Sequence, residues 1–283
     1  MQKSKAMGKR RSWRVWWYIA LTLVGLVMVF PFLWLISSAF KPERNIFMIP
    51  PQIIPLPATL ENFKGVFTDT KFLKWLGNST YITLIVVVLG SFVSSMAGFA
   101  YSKLRFRGKD FLFLLPLCAI MIPNEVILIP MFKMWTWLGA IDTHIPLILP
   151  NIVGIGGMFG VFLFRQFYMS IPTELCEAAT IDGCSPFRIY TQIMLPNSQS
   201  SLVCLAIFNF SAVWNDYLNP LIYLNTSDKY TLALGLSLFT DMTGVMWGEL
   251  MAACLMATLP IVIMFFVAQD KFIESVALTG MKG

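Results

Sequence analysis

Long apolar runs constrain the fold of this 283-residue chain more than any other feature, because 57% of its residues are hydrophobic and they gather into six stretches. A helix of about 20 apolar residues crosses the core of a bilayer, and in lipid its backbone groups must be satisfied within the helix. We therefore predict an all-α, polytopic membrane protein with six transmembrane helices in one membrane domain, residues 1–283. The predicted spans cover about residues 16–37, 79–101, 111–132, 145–164, 201–224 and 250–268.

The distribution of basic residues predicts how the chain crosses the membrane. Segments 1–15, 102–110, 165–200 and 269–283 together hold 14 of the 21 lysine and arginine residues. Cytoplasmic loops are enriched in these residues, so both termini are predicted to be cytoplasmic. This topology accounts for the net charge of +6 without a nucleic-acid partner. A signal peptide is the alternative for the first run, which is longer than the usual apolar core of about 7–15 residues.

Residue types that carry covalent or metal chemistry are sparse. The five cysteines are odd in number and show no CxxC pairing, which indicates free thiols, and His144 is the only histidine. No GxxxxGK[ST], HExxH or GxSxG motif occurs. We expect no catalytic residue, no metal site and no cofactor on this chain.

A polar island over residues 170–196, SIPTELCEAATIDGCSPFRIYTQIMLP, interrupts the apolar runs. It predicts two short helices, the first with Pro172 in its first turn and with Glu174 and Glu177 near the positive helix end. Gly183 ends this helix because glycine adopts positive φ without steric cost.

The second short helix begins at Ser185 and Pro186, since serine caps free N–H groups and proline fits the first helical position. Leu195-Pro196 closes it. Ala178 and Ala179 make one side of the first helix small enough for the backbone of another protein to approach. The alternative is a solvated loop that only joins two spans.

Three segments of the polar island carry a resemblance: Glu177-Ala178-Ala179, Asp182-Gly183 and Ile193-Met194-Leu195-Pro196. Together they resemble the EAA loop of permease subunits in binding-protein-dependent ABC importers, although Cys184 stands where alanine is common. In that family the loop is the coupling element that docks on the ATP-hydrolysing subunit. The resemblance implies a set of ATPase-coupling residues: Glu174, Glu177, Ala178, Ala179, Asp182, Gly183, Ser185, Ile193, Leu195 and Pro196.

Two further segments resemble the sugar-importing branch of the same family. The run WNDYLNPLI at 214–222 is similar to a WNEF-type sequence, and the end VALTGMKG at 276–283 is similar to a tail that reaches into the ATPase dimer. Ala277 stands where that tail usually has glycine. The resemblance implies ATPase contacts at Gly280, Lys282 and Gly283, and the alternative is a frayed terminus.

Polar side chains inside the predicted spans are candidates for a transport path, because charges at membrane depth are expensive and usually face a cavity or a partner. Amides and carboxylates near Trp214 and Tyr217, with Asn219 among them, suit the hydroxyl edges and apolar faces of a sugar. The alternative is that they join helices by hydrogen bonds. The candidate residues are Asn124, Glu125, Asn151, Asn209, Asn215 and Asp216.

Small residues and prolines predict the packing of the spans. Gly90, Ser94 and Gly98 recur every four residues, and Gly156 and Gly160 form a GxxxG pair, so both faces are expected to pack closely against other helices. Three prolines in the third span predict a kink near Asn124-Glu125.

The resemblance implies an assembly in the cytoplasmic (inner) membrane of a prokaryote. This chain would pair with a second permease subunit as a heterodimer, with two ATP-binding subunits that hold ATP and Mg, an extracytoplasmic solute-binding protein and a sugar substrate. It would move the sugar by alternating access. The alternatives are an ABC permease for a non-sugar solute and an ion-coupled secondary transporter, for which no convincing internal repeat is found.

Overall fold

The computed structural model describes residues 2–154, 157–241 and 244–280, and the side chains of 16–154, 157–240 and 244–270. The chain divides into two compact units, one of residues 1–70 and 239–256 and one of residues 71–238 and 257–283. In chain order the elements are α1 (Gln2–Ala39), α2 (Glu61–Asp69), α3 (Phe72–Lys103), α4 (Lys109–Ile120), α5 (Asn124–Trp137), α6 (Ile145–Val153), α7 (Met158–Met169), α8 (Glu174–Ile181), α9 (Pro186–Asn197), α10 (Gln199–Trp214), α11 (Leu218–Tyr223), α12 (Leu232–Gly235), β1 (Thr240–Asp241), β2 (Gly244–Val245) and α13 (Trp247–Gly280).

Four segments of the described chain are long and apolar enough to cross a membrane: Trp16–Ala39, Phe72–Lys103, Ile145–Met169 and Trp247–Asp270. Two bent pairs add to them, α4 with α5 at 101° and α9 with α10 at 79°. Counted as one span each, they bring the total to six, which agrees with the predicted fold class.

The helices differ from the predicted spans at several boundaries. The stretch 201–224 is interrupted after Trp214, and the tail is helical as far as Gly280. Residues 72–78, which precede the predicted second span, belong to α3. Trp75 explains this, because its ring is buried and its Nε1 donates to the carbonyl of Ser227 at 2.8 Å. A contact across 152 residues leaves no local pattern in the sequence.

The first unit is organised by side chains that satisfy helix ends. The Glu43 carboxylate accepts hydrogen bonds from the backbone N–H groups of Trp247 and Gly248 at 3.0 and 2.6 Å, which caps the start of α13. The Asn62 amide donates to the carbonyls of Ala39 and Lys41 at 2.9 and 2.7 Å, which ties α2 to the end of α1. The strands β1 and β2 form one short antiparallel pair.

The second unit is built on close contact between α3 and α7. A Cβ added at Gly98 would lie 2.5 Å from the Cβ of Phe164, and one added at Gly160 would lie 2.6 Å from Ser94 Oγ. Only glycine allows the two backbones this separation. The predicted small-residue faces are confirmed at these positions, while Gly156 lies outside the described residues.

Candidate functional sites

The first candidate site is the pair of short helices α8 and α9. Gly183, at φ +81°, ends α8. Its N–H donates to the carbonyl of Thr180 at 3.0 Å, and the N–H of Cys184 donates to that of Ala179 at 2.9 Å. These two bonds form a Schellman motif, so the predicted glycine turn is confirmed.

The second short helix also begins as predicted. Ser185 Oγ accepts a hydrogen bond from the N–H of Arg188 at 3.3 Å, and Pro186 occupies the first helical position. Pro196 does not end the helix, which continues to Asn197. A π-helical segment, Tyr190–Met194, precedes this proline, which lacks the N–H that a regular helix requires. Pro172 lies before α8 rather than in its first turn.

One face of α8 and α9 packs against the membrane helices. Ala179, Ile189, Tyr190 and Met194 are buried in a cluster that α3, α7 and α10 complete. The small face predicted for a partner is therefore half wrong, because Ala179 fills this core and only Ala178 is exposed. Of the other predicted coupling residues, Ile193 and Leu195 are half-buried against the cluster, and Glu174, Glu177, Asp182, Gly183, Ser185 and Pro196 are exposed.

The outward face of the pair carries apolar side chains that the sequence analysis missed. Ile181 is 87% exposed and Phe187 is 62% exposed, on opposite sides of the Gly183 turn. Their position could have indicated an exposed contact surface, because both are apolar residues inside a polar island. Glu177 lies 3.9 Å from the guanidinium of Arg105 in an exposed ion pair. The exposed surface of α8 and α9 therefore carries both apolar and charged side chains.

A buried hydroxyl network connects these helices to the membrane part. Tyr168 Oη lies 2.7 Å from Ser95 Oγ and 3.1 Å from Ser198 Oγ, and Ser198 Oγ donates to the carbonyl of Leu195 at 2.8 Å. Ser198 is the residue at the bend between α9 and α10. The network therefore joins α3 and α7 to the point where the pair of short helices enters the membrane part.

The second candidate site is a cavity of about 500 Å³ between α5, α6 and α11. Four predicted path residues line it, namely Asn124, Glu125, Asn151 and Asp216. The other two predicted path residues, Asn209 and Asn215, do not line it. The Asn215 amide donates to the carbonyl of its own helix at Ser211, 2.8 Å away. Asn209 lies beside Gly90 in α3.

The polar groups of the cavity stand at helix breaks. Asn124 and Glu125 begin α5 directly after the 101° bend, and Asn151 lies in the last turn of α6. Asp216 lies between α10 and α11, where its carboxylate accepts from the N–H and the Nδ2 of Asn219 at 3.2 and 2.9 Å. Asp216 therefore caps α11 and faces the cavity at the same time.

Aromatic side chains complete the cavity wall. Trp135 is 4% exposed, and Tyr223 stacks on Phe132 at 6.4 Å between ring centroids. Neither Trp135 nor Tyr223 was among the predicted path residues, whereas Asn219, which the sequence analysis grouped with the amides that suit a sugar, does line the cavity. The spacing held an indication, because Trp135 lies 11 residues, or about three turns, after Asn124 and so shares its helix face.

A polar loop cluster lies outside the cavity. Asp142, at φ +58°, accepts from the N–H groups of Asn225 and Thr226 at 2.9 Å and from Lys229 Nζ at 2.8 Å. The bonds from Lys229 and Thr226 hold the pKa of Asp142 far below its usual value. His144 contacts the carbonyl of Lys229 through Nε2 at 2.6 Å. Among the described residues no group of three or more metal-ligating side chains occurs.

Comparison with known proteins decides the family. Residues 88–277 match the model of the binding-protein-dependent transport system inner membrane component. The chain belongs to this family of permeases. The permease is 37% identical to the arabinooligosaccharides transport system permease protein AraQ of Halalkalibacterium halodurans, over 94% of this chain and 95% of the relative. It is 31% identical to the galactooligosaccharides transport system permease protein GanQ of Bacillus subtilis, over 94% of both chains.

Solved structures support the fold of the permease. The crystal structure of a bacterial ABC transporter involved in the import of the acidic polysaccharide alginate contains a chain that matches with a TM-score of 0.83. The match covers 93% of this chain and 97% of that chain at 20% sequence identity. The permease is thus a multi-pass membrane protein with an importer-type fold.

Proposed function

We propose that this permease is a membrane subunit of an ATP-driven importer that carries a carbohydrate, either an oligosaccharide or a related sugar. The observation that carries the proposal is the agreement among relatives: two that match over nearly their full length serve, by name, in oligosaccharide transport systems. The permease itself performs no covalent chemistry.

The cavity supports a carbohydrate as the substrate. Carboxylate and amide oxygens at Glu125, Asp216 and Asn151 accept hydrogen bonds from sugar hydroxyls. Met134, Leu149 and Leu218, which line the cavity and are partly exposed, offer apolar surface to the faces of a sugar ring. A largely apolar wall with a few convergent polar groups is the usual composition of a small-molecule site.

The exposed face of α8 and α9 docks on an ATP-binding subunit. Ile181 and Phe187 supply the apolar centre that specific interfaces bury, and Glu174, Glu177 and Asp182 supply the polar rim. ATP and Mg bind to that partner and not to this chain. Closure of the ATPase pair moves α8 and α9, and the spans then shift the cavity from one side to the other.

The complete importer contains a second, related permease subunit in a heterodimer, two ATP-binding subunits and an extracytoplasmic solute-binding protein. Both termini of the permease are cytoplasmic, in line with the charge distribution. The tail contacts the ATPase pair through Gly280, Lys282 and Gly283, of which the last two lie outside the described residues.

Crosslinking and affinity capture of the tagged permease from its native membranes test this assembly. Mass spectrometry is expected to identify an ATPase, a second permease and a sugar-type binding protein. Ile181→Asp is expected to lose the ATPase and keep the second permease, because only the docking face is changed. The control is Leu56→Asp, which alters an exposed apolar residue outside that face. Recovery of the permease alone after crosslinking would count against the importer.

A further inference from the structure

The charges around the cavity of about 500 Å³ all have one sign. Its described lining contains two carboxylates, from Glu125 and Asp216, and no lysine, arginine or histidine. The other polar lining groups are the neutral amides of Asn124, Asn151 and Asn219. A cleft lined by charges of one sign focuses its field on whatever enters.

Neither carboxylate is neutralised by a cation among the residues that the structure describes. Asp216 accepts its hydrogen bonds from the backbone and amide of Asn219, which carry no net charge. Glu125, the first acidic residue of α5, forms no hydrogen bond or ion pair within the described part of the chain. Both negative charges therefore act on the contents of the cavity.

The hydrogen-bonding groups of the wall also favour a ligand that donates hydrogen bonds and carries no negative charge. Ionised carboxylates only accept hydrogen bonds, so they pair with donors such as the hydroxyls of a neutral sugar. The carboxylate of a uronic acid offers no donor and adds a like charge. One like charge within about 7 Å in a partly desolvated site weakens binding on the order of tenfold or more.

We propose that this cavity selects neutral carbohydrates and rejects acidic ones, with Glu125 and Asp216 as the residues that determine this selection. The inference rests on the proposed function. It adds a charge class to the substrate and places part of the specificity in the permease rather than wholly in the binding protein. The apolar lining residues, such as Met134 and Leu218, contact the ring, and the two carboxylates determine which charge is accepted.

Two saccharides of the same linkage, galactotriose and trigalacturonate, test this selection because they differ only in a hydroxymethyl or carboxylate group on each ring. The assembled transporter, purified without its binding protein and placed in lipid nanodiscs, is titrated with each sugar by saturation-transfer NMR. We expect trigalacturonate to bind at least about tenfold more weakly than galactotriose, and the ratio to fall as salt is added.

The double variant Glu125→Gln, Asp216→Asn is expected to reduce this ratio by about tenfold or more. The replacements keep the shape and one acceptor oxygen each, so Asp216→Asn can still accept the N–H of Asn219 at the start of α11. The control is Glu61→Gln, which removes an exposed carboxylate elsewhere and should leave the ratio unchanged. Equal binding of both sugars by the wild type, no binding of either sugar, or an unchanged ratio in the double variant would overturn the proposal.

Failure of the selection and failure of the proposed function are distinguishable. ATP-dependent uptake of a neutral arabino- or galactooligosaccharide, together with recovery of the ATPase, would support the importer even if the binding ratio were unaffected. Absence of uptake and of an ATPase partner would remove the importer itself.

Discussion

At the scale of single residues, Gly183 sets the angle between α8 and α9, the surface proposed to dock on the ATPase. Its φ of +81° is required by the turn, and no other atom lies within 4 Å of the position that a Cβ would take. A substitution here is therefore opposed by backbone strain and not by crowding. Substitutions at Gly183 can therefore test the backbone conformation of the turn without disturbing side-chain packing.

Replacement of Gly183 by valine is expected to abolish uptake while the protein stays in the membrane. The left-handed conformation costs an L-residue about 1–2 kcal/mol, and more for a branched one, whereas asparagine visits it readily. Gly183→Asn is the matched control and should retain most uptake. Both variants are compared by transport rate and by the amount of ATPase captured. Equal activity of the two variants would contradict the role of the turn.

Asp142 predicts a pH dependence of stability. Its folded-state pKa is lowered by Lys229 and Thr226, so its stabilising contribution is present above the unfolded value of about 3.9 and is lost as pH falls below it. The wild type should therefore melt a few degrees above Asp142→Asn at pH 7, by about 2–4 °C. This difference should shrink below about pH 4. A difference that stays constant from pH 7 to pH 3 would exclude the ion pair as its source.

Individual residues were predictable where the chemistry is local. Gly183 and Ser185 act within four residues of their own positions, and the sequence predicts both correctly. Ala179 was assigned to the wrong face, because its burial depends on α3, α7 and α10, which are distant in the chain. Trp135 was missed because its spacing from Asn124 places it on the same helix face but does not show that this face lines a cavity.

At the scale of elements, the contact of α3 with α7 limits which substitutions the second unit can accommodate. Phe164, opposite Gly98, leaves no space for a methyl group on α3. The sequence predicted the small faces from their four-residue spacing. It did not predict which helix they face, because that choice depends on non-local packing.

Gly98→Ala is expected to destabilise the permease by about 1–3 kcal/mol, because the added Cβ would lie 2.5 Å from Phe164 Cβ and one backbone must move. Gly77→Ala is the matched control on the same helix. A Cβ there meets nothing within 4 Å, so alanine should be neutral or slightly stabilising. Thermal unfolding in detergent measures both variants, and a loss of equal size at the two sites would contradict the close contact.

Helix breaks were the least predictable feature of the elements. The prolines of the third span indicated a kink, and α4 and α5 meet there at 101°. The break after Trp214 was not predicted, since 201–224 is a largely apolar run whose polar interruptions are two serines, three asparagines and Asp216. Capping of α11 by Asp216 replaces backbone bonds that a continuous helix would have made, and apolar run length carries no information about such capping.

At the scale of the whole molecule, the pair α8 and α9 and the membrane part are joined through Tyr168. Tyr168→Phe removes a hydroxyl that contacts Ser95 and Ser198 and leaves two buried partners without it, at a cost of about 1–3 kcal/mol. We expect the variant to assemble normally but to transport less sugar per ATP hydrolysed. The control is Tyr81→Phe, a tyrosine outside this network. If Tyr168→Phe transports as much sugar per ATP hydrolysed as the wild type, the network contributes only to packing.

The second unit combines a tightly packed region with a region where the helices are interrupted. Where α3 meets α7, atoms already touch, so this region resists deformation as close-packed interiors do. Around the cavity, regular helical hydrogen bonding is interrupted beside Asn124, Asn151 and Asp216, and a chain bends most easily at such points. We therefore expect a displacement of α8 and α9 to leave the α3–α7 contact intact and to change the angles between the helices around the cavity.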